Sequence, residues 1–203
     1  MPDAADARVD WPRFTLVTYS APTGIPHGWD AELLAKGAPD GLVIKAEHDL
    51  TLLEAPSYGP LMCFGTTGAH GRVCLDPRTQ HVVHVEYGAF QTGNPQAEVV
   101  GSPNLVGSSL EQLIEMVRAV TERFPFDSDL TWDDREGEAD EEKEARDERL
   151  LNEWAQAVVD LAEILDRIDP AAFADPGEFW HTFVADVSMG NYSTEDILNP
   201  PEE

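Results

Sequence analysis

Residues 61–87, LMCFGTTGAHGRVCLDPRTQHVVHVEY, constrain the fold of this chain more than any other stretch. They spell three short apolar runs separated by two turns, the pattern of an antiparallel meander. The first turn holds Gly65, Gly68 and Gly71, residues that accept positive φ without steric cost. The second opens on Asp76-Pro77, where a carboxylate can cap the turn and the proline ring presets φ. No catalytic nucleophile, metal cage or phosphate loop sits in this stretch.

Pairing Cys63 with Cys74 sets Met62 opposite Leu75 and Phe64 opposite Val73, all four on one face of the sheet. Residues 81–87 offer Val83, Val85 and Tyr87 as the core face of the third strand, with Val82, His84 and Glu86 turned away. A helix across the core face completes a two-layer domain. That helix is legible after Ser108-Ser109-Leu110-Glu111, a capping box in which Ser108 accepts from a helical amide and Glu111 reaches back. Leu110, Leu113, Ile114, Val117, Val120 and Phe124 then form one apolar stripe, ended by Pro125.

Around this centre, residues 12–20 read as a strand with Phe14, Leu16 and Thr18 on one face. Residues 29–36 read as a short helix stopped by Gly37 and Pro39, and 41–46 and 50–54 as strands. Residues 133–149 hold no large apolar side chain, so they form a flexible acidic insertion. Its second half can extend the next helix, aided by spacings such as Glu142 to Arg146. That helix carries Leu151, Trp154, Val158, Leu161, Leu165 and Ile168, and Asp169-Pro170 closes it. Pro176 begins a last helix running to Met189, with Phe179, Trp180, Phe183 and Val187 inward, before a loose tail at 190–203. The expected organisation is one domain, 1–203.

Charge restricts the partners. A formal net charge of −26 over 203 residues repels nucleic acid and anionic lipid and steers basic partners inward. The plainer reading of the same charge is solubility. The polar start, MPDAADARVD, is no signal peptide, and no run reaches the roughly 18 apolar residues of a membrane span, so a cytoplasmic location is expected. With only Cys63 and Cys74, a reducing compartment without a disulfide framework is expected. The two thiols would sit side by side, more as small buried hydrophobes than as a redox switch.

The other candidate chemistries are weak. His81 and His84 are three apart on a strand and point to opposite faces, so even with His70 they make a poor metal site, and no metal or other cofactor is expected. His181 fits a structural histidine, paired with an acid such as Asp186. The glycines of TTGAHG lack the Lys-Ser/Thr of a phosphate loop, and neither a Gly-x-Ser-x-Gly elbow nor a zinc-deaminase signature occurs. The acidic run is either a hydrated surface or an arm that enters a basic groove on another protein.

The order of segments resembles a known family. PDGL at 39–42, MCFGTTGAHGRVCLDPRTQHVVHVE at 62–86, NLVGSSLEQLIEMV at 104–117 and LDRIDPAAFADPGEFWHTFVADV at 165–187 resemble the SUKH superfamily of bacterial immunity proteins, in its fourth subfamily, the branch widespread in actinobacteria. The matching positions are Gly65, Gly68, Gly71, Asp76, Ser108, Ser109, Leu110, Glu111, Asp169, Pro170, Phe179 and Trp180, over roughly residues 25–187. Gly107 departs from a frequent Asn.

The resemblance implies an α+β fold, a curved, mainly antiparallel sheet with helices packed on one side. It implies a non-enzymatic protein that neutralises a toxin domain of nuclease or nucleic-acid deaminase type. The partner expected is therefore a protein, a basic toxin domain, with no nucleic acid or membrane. Exposure nominates His70, Arg72, Glu86, Tyr87, Asp133, Asp134, Glu136, Glu138, Asp140, Glu141 and Glu142 as contacts. The rival readings are a scaffold that binds an endogenous enzyme and, behind it, a small-molecule enzyme.

Overall fold

The computed structural model describes residues 11–20, 24–55, 58–68, 71–88, 98–126, 139–176 and 178–192. Strand β1 (Thr15–Val17) pairs antiparallel with β2 (Ala38–Asp40), and helix α1 (Ala31–Lys36) lies between them in the chain. The main sheet follows in sequence order: β3 (Lys45–Ala55), β4 (Gly59–Thr67), β5 (Gly71–Leu75), β6 (Val82–Gly88) and β7 (Glu98–Gly107), every neighbour antiparallel. Helices α2 (Leu110–Arg123), α3 (Asp140–Ile168) and α4 (Phe179–Ser188) complete the described elements. The α+β class follows the resemblance.

The central meander forms with two changes of register. Met62 faces Leu75 and Cys63 faces Cys74, but a bulge after Cys63 sets Gly65, not Phe64, opposite Val73. Phe64 still joins Met62, Val73 and Leu75 in the main core. The core face of β6 is the reverse of the expected one. Leu75 pairs with Val82 and Val73 with His84, so Val82 joins the helix-backed core while Val83 and Val85 pack on the other face. The turn sets this register: the Asp76 amide donates to the His81 carbonyl, and Gln80 enters the left-handed region at φ 62°.

On that other face Leu61, Cys63, Cys74, Val83 and Val85 make a second buried cluster, joined by Ala55. The cysteines are not the separate thiols expected. They are joined by a disulfide across β4 and β5, their Cα atoms 4.0 Å apart, because direct opposition in the register brings the side chains together.

The helix-backed face holds the larger core. The apolar stripe of α2 is buried as the periodicity requires, from Leu110 through Val120 to Phe124. Trp180 and Phe183 of α4 enter the same cluster, and the Trp180 indole donates to the Val106 carbonyl at 2.9 Å. Leu161 and Leu165 bring the C-terminal half of α3 into the same core, and α3 packs on α2 and α4. The N-terminal side is tied down by Tyr19, whose hydroxyl lies 2.9 Å from the Glu47 carbonyl oxygen and 3.1 Å from that of Phe64. Burial, then the Glu47 and Asp40 carboxylates, push its pKa up to about 12.

Several element boundaries moved. The first strand is only three residues, and Leu16 in it is exposed. The strands expected at 41–46 and 50–54 become β2 at 38–40 and one long β3. Within the acidic insertion, residues 140–149 are helical, as the N-terminal extension read for its second half requires, and acids in the first turn of α3 complement the helix dipole. Strand β7 was not anticipated from the sequence, since Gly101, Pro103 and the register shifts against β6 erase its alternation.

Candidate partner-binding surface

The sheet carries three of the nominated contacts, Arg72, Glu86 and Tyr87, and it separates the first two. Arg72 and Cys74 alternate with Gly71 and Val73, so Arg72 projects on the disulfide face, where its guanidinium lies 3.9 Å from the Glu47 carboxylate. Glu86 alternates with Val85 and shares the helix-side face of β6 with Val82 and His84, exposed at the strand end. The two residues cannot line one patch. Tyr87 lies in β6 opposite Val99. His70, Asp133, Asp134, Glu136 and Glu138 lie outside the described residues.

The acids at 140–142 are placed elsewhere. Asp140, Glu141 and Glu142 occupy the first turn of α3, all exposed. The 29-residue helix spans about 43 Å at a rise of 1.5 Å per residue. Its inward stripe deepens toward the C-terminus: Trp154 and Val158 are half-buried, whereas Leu161 and Leu165 are fully buried. Leu151, read from the sequence as part of that stripe, is 61% exposed, and Val159 is 50% exposed. Shallow depressions run along the same helix, one lined by Ala145, Glu148, Arg149, Asn152, Glu153 and Gln156, another by Asp140, Lys143, Glu144, Asp147, Glu148 and Leu151.

The positions matched by the resemblance do structural work. Gly68 takes the positive φ of the β4–β5 turn (58°), while Gly65 and Gly71 do not. Gly71 is needed for room: a Cβ there would collide with the Thr67 hydroxyl and the His84 ring, which hydrogen-bond to each other at 2.8 Å. Buried Asp76 accepts from the Arg78 amide (2.9 Å) and guanidinium (3.2 and 3.1 Å). Burial alone would raise its pKa, but these bonds and one from Thr79 outweigh it and hold the carboxyl below its ordinary value.

The capping box shifts by one residue. Ser109 caps α2, its hydroxyl accepting the Gln112 amide at 3.2 Å, and Glu111 instead reaches Lys36 of α1 at 3.2 Å. Ser108 is taken by Asp169: both its amide and its hydroxyl donate to that buried carboxylate, which also accepts the Ala172 amide. Asp169 thus fastens the start of α2 to the α3–α4 turn, where Pro170 follows it. Gly107 lies against this joint, where a Cβ would meet the Ser109 carbonyl at 2.9 Å and Leu113 at 3.0 Å.

His84 and His181 are accounted for by packing. Burial pulls the His84 pKa down, with Glu86 acting the other way, and its ring sits 5.0 Å from that of Phe179. His181 pairs with the Phe173 carbonyl at 2.8 Å and stacks on the Phe173 ring, in place of the acid expected. Among the described residues no group of three or more His, Cys, Asp and Glu is placed to hold a metal ion. None of the described helices is long and apolar enough to cross a membrane.

The exposed face of α3 is the feature that sequence reading missed. Heptad spacing assigned Leu151 to the core, and Val159 lay off the stripe; exposure distinguishes them only once the helix is docked. A family model described as SUKH-4 immunity protein matches residues 2–186. No curated protein and no solved structure matches the chain.

Proposed function

The chain belongs to the SUKH-4 immunity protein family, and from that membership we propose that it protects its producing cell by binding and occluding a basic toxin domain of nuclease or nucleic-acid deaminase type. The match over residues 2–186 carries this reading. Charge supports it: an exterior at −26 attracts a basic, nucleic-acid-handling partner and repels nucleic acid itself. No chemical step is assigned to the chain. It acts by steric cover, with acidic side chains guiding encounter and a few apolar side chains holding the complex. The action belongs in the cytoplasm, where such a toxin meets its substrate.

Co-expression tests the reading. Open reading frames flanking this chain's gene are expressed one at a time; one should arrest growth alone, and the chain should restore it. The purified pair should then elute as one complex, with the toxin's action on nucleic acid suppressed. Continued arrest despite soluble chain would overturn the reading. Recovery of only an endogenous enzyme from the host would favour a scaffold instead.

A further inference from the structure

We infer that the outward face of α3 is the surface that grips the partner, and that it fits a basic protein groove with an apolar floor. This rests on the toxin-binding reading above and locates it.

Helical steps of four place Leu151, Ala155 and Val159 on one exposed line. Glu144 and Glu148 precede it on the same arc, and Glu163 and Asp166 follow, all exposed. Arg146 falls off that arc, while Lys143, Arg149 and Arg167 flank it. Lys143 lines a depression with Glu144 and Leu151, and Arg149 lies 3.9 Å from the Glu153 carboxylate, so acids outnumber bases on the face without excluding them. The result is an apolar centre in an acidic frame, the arrangement in which a few desolvated side chains hold a complex while charge selects it. Leu151 and Val159 support none of the core, since they are 61% and 50% exposed, while Leu161 and Leu165 of the same helix are fully buried.

Charge chooses the occupant. A second copy would set one acidic frame against another, and nucleic acid would be repelled in the same way. A protein groove lined by Lys and Arg meets both the frame and the apolar line. The nominated sheet residues form no comparable surface, because Arg72 and Glu86 face opposite ways.

The test uses the full chain and the toxin domain whose growth arrest it relieves on co-expression, in three arms. The first measures binding and growth rescue by L151E/V159E and by the milder E148K/E163K, each checked for unchanged circular dichroism. The second places a benzophenone photocrosslinker at position 155 and, separately, at Leu52 on β3. The third measures self-association of the chain alone by light scattering. The expected result is at least about tenfold weaker binding for each variant, crosslinking to the toxin from position 155, and a chain that stays monomeric.

Rescue by the unaltered chain with undiminished binding by both variants, or crosslinking only from Leu52, would overturn this surface and leave the toxin reading standing. Self-association through position 155 would replace the basic partner with a second copy. Absence of rescue by the unaltered chain would remove both readings.

Discussion

Gly71 shows how tightly single residues hold this structure. Gly71→Ala drives a methyl group into the Thr67–His84 hydrogen bond, an overpacking expected to cost about 1–3 kcal/mol, read as a lower urea midpoint. Asp169→Ala should cost about 2–3 kcal/mol, since it strips the Ser108 amide and hydroxyl and the Ala172 amide of their acceptor. His84 adds a pH dependence. Its folded pKa is lowered by burial, so the unfolded chain binds the extra proton more readily. Its contribution is therefore complete above the unfolded value of about 6.5 and declines as pH falls below it, until the folded ring is also protonated. Unfolding titrations of the native chain and His84→Gln should show the steeper loss of stability, between about pH 7 and the lowered pKa, in the native chain. Equal slopes would reject the assignment.

At the scale of elements, α3 divides into a half that stabilises and a half that does not. Leu161→Ala should cost about 2–5 kcal/mol, whereas Leu151→Ala should stay within about 0.5 kcal/mol. Thermal unfolding of the two variants checks the contrast, and amide exchange should slow from the first turn of the helix toward Leu165. This division was only half legible. The stripe of α2 could be read from the sequence because it is buried along its whole length, so periodicity and burial agree. The stripe of α3 is as regular, but periodicity says which side faces inward and not where the body beneath it ends. The meander shows a second limit: the supposed opposition of Cys63 and Cys74 matches the register, whereas the inward face of β6 depended on a six-residue turn held by Asp76 and Gln80. The capping box failed for a tertiary reason, because Asp169 claimed Ser108 and left the cap to Ser109. Strand β7 was obscured by Gly101, Pro103 and its bulges. Of the nominated contacts, Asp140, Glu141 and Glu142 do lie on an exposed helix, while alternation parts Arg72 from Glu86.

For the whole molecule, charge and the covalent link set the terms. Association with a basic toxin should slow as ionic strength rises, because screening shortens the reach of the acidic exterior, with dissociation changing much less. Stopped-flow mixing at low and high salt measures it, and a salt-independent association rate would contradict electrostatic guidance. Thiol titration of the denatured chain without reductant should find neither Cys63 nor Cys74 reactive. The exposed line on α3 has a consequence for descent. Because Leu151, Ala155 and Val159 bear on the outside world and not on the packing, a lineage can rewrite them with little penalty to folding. Changes on that one rod can thus accumulate while the scaffold behind it stays as it was.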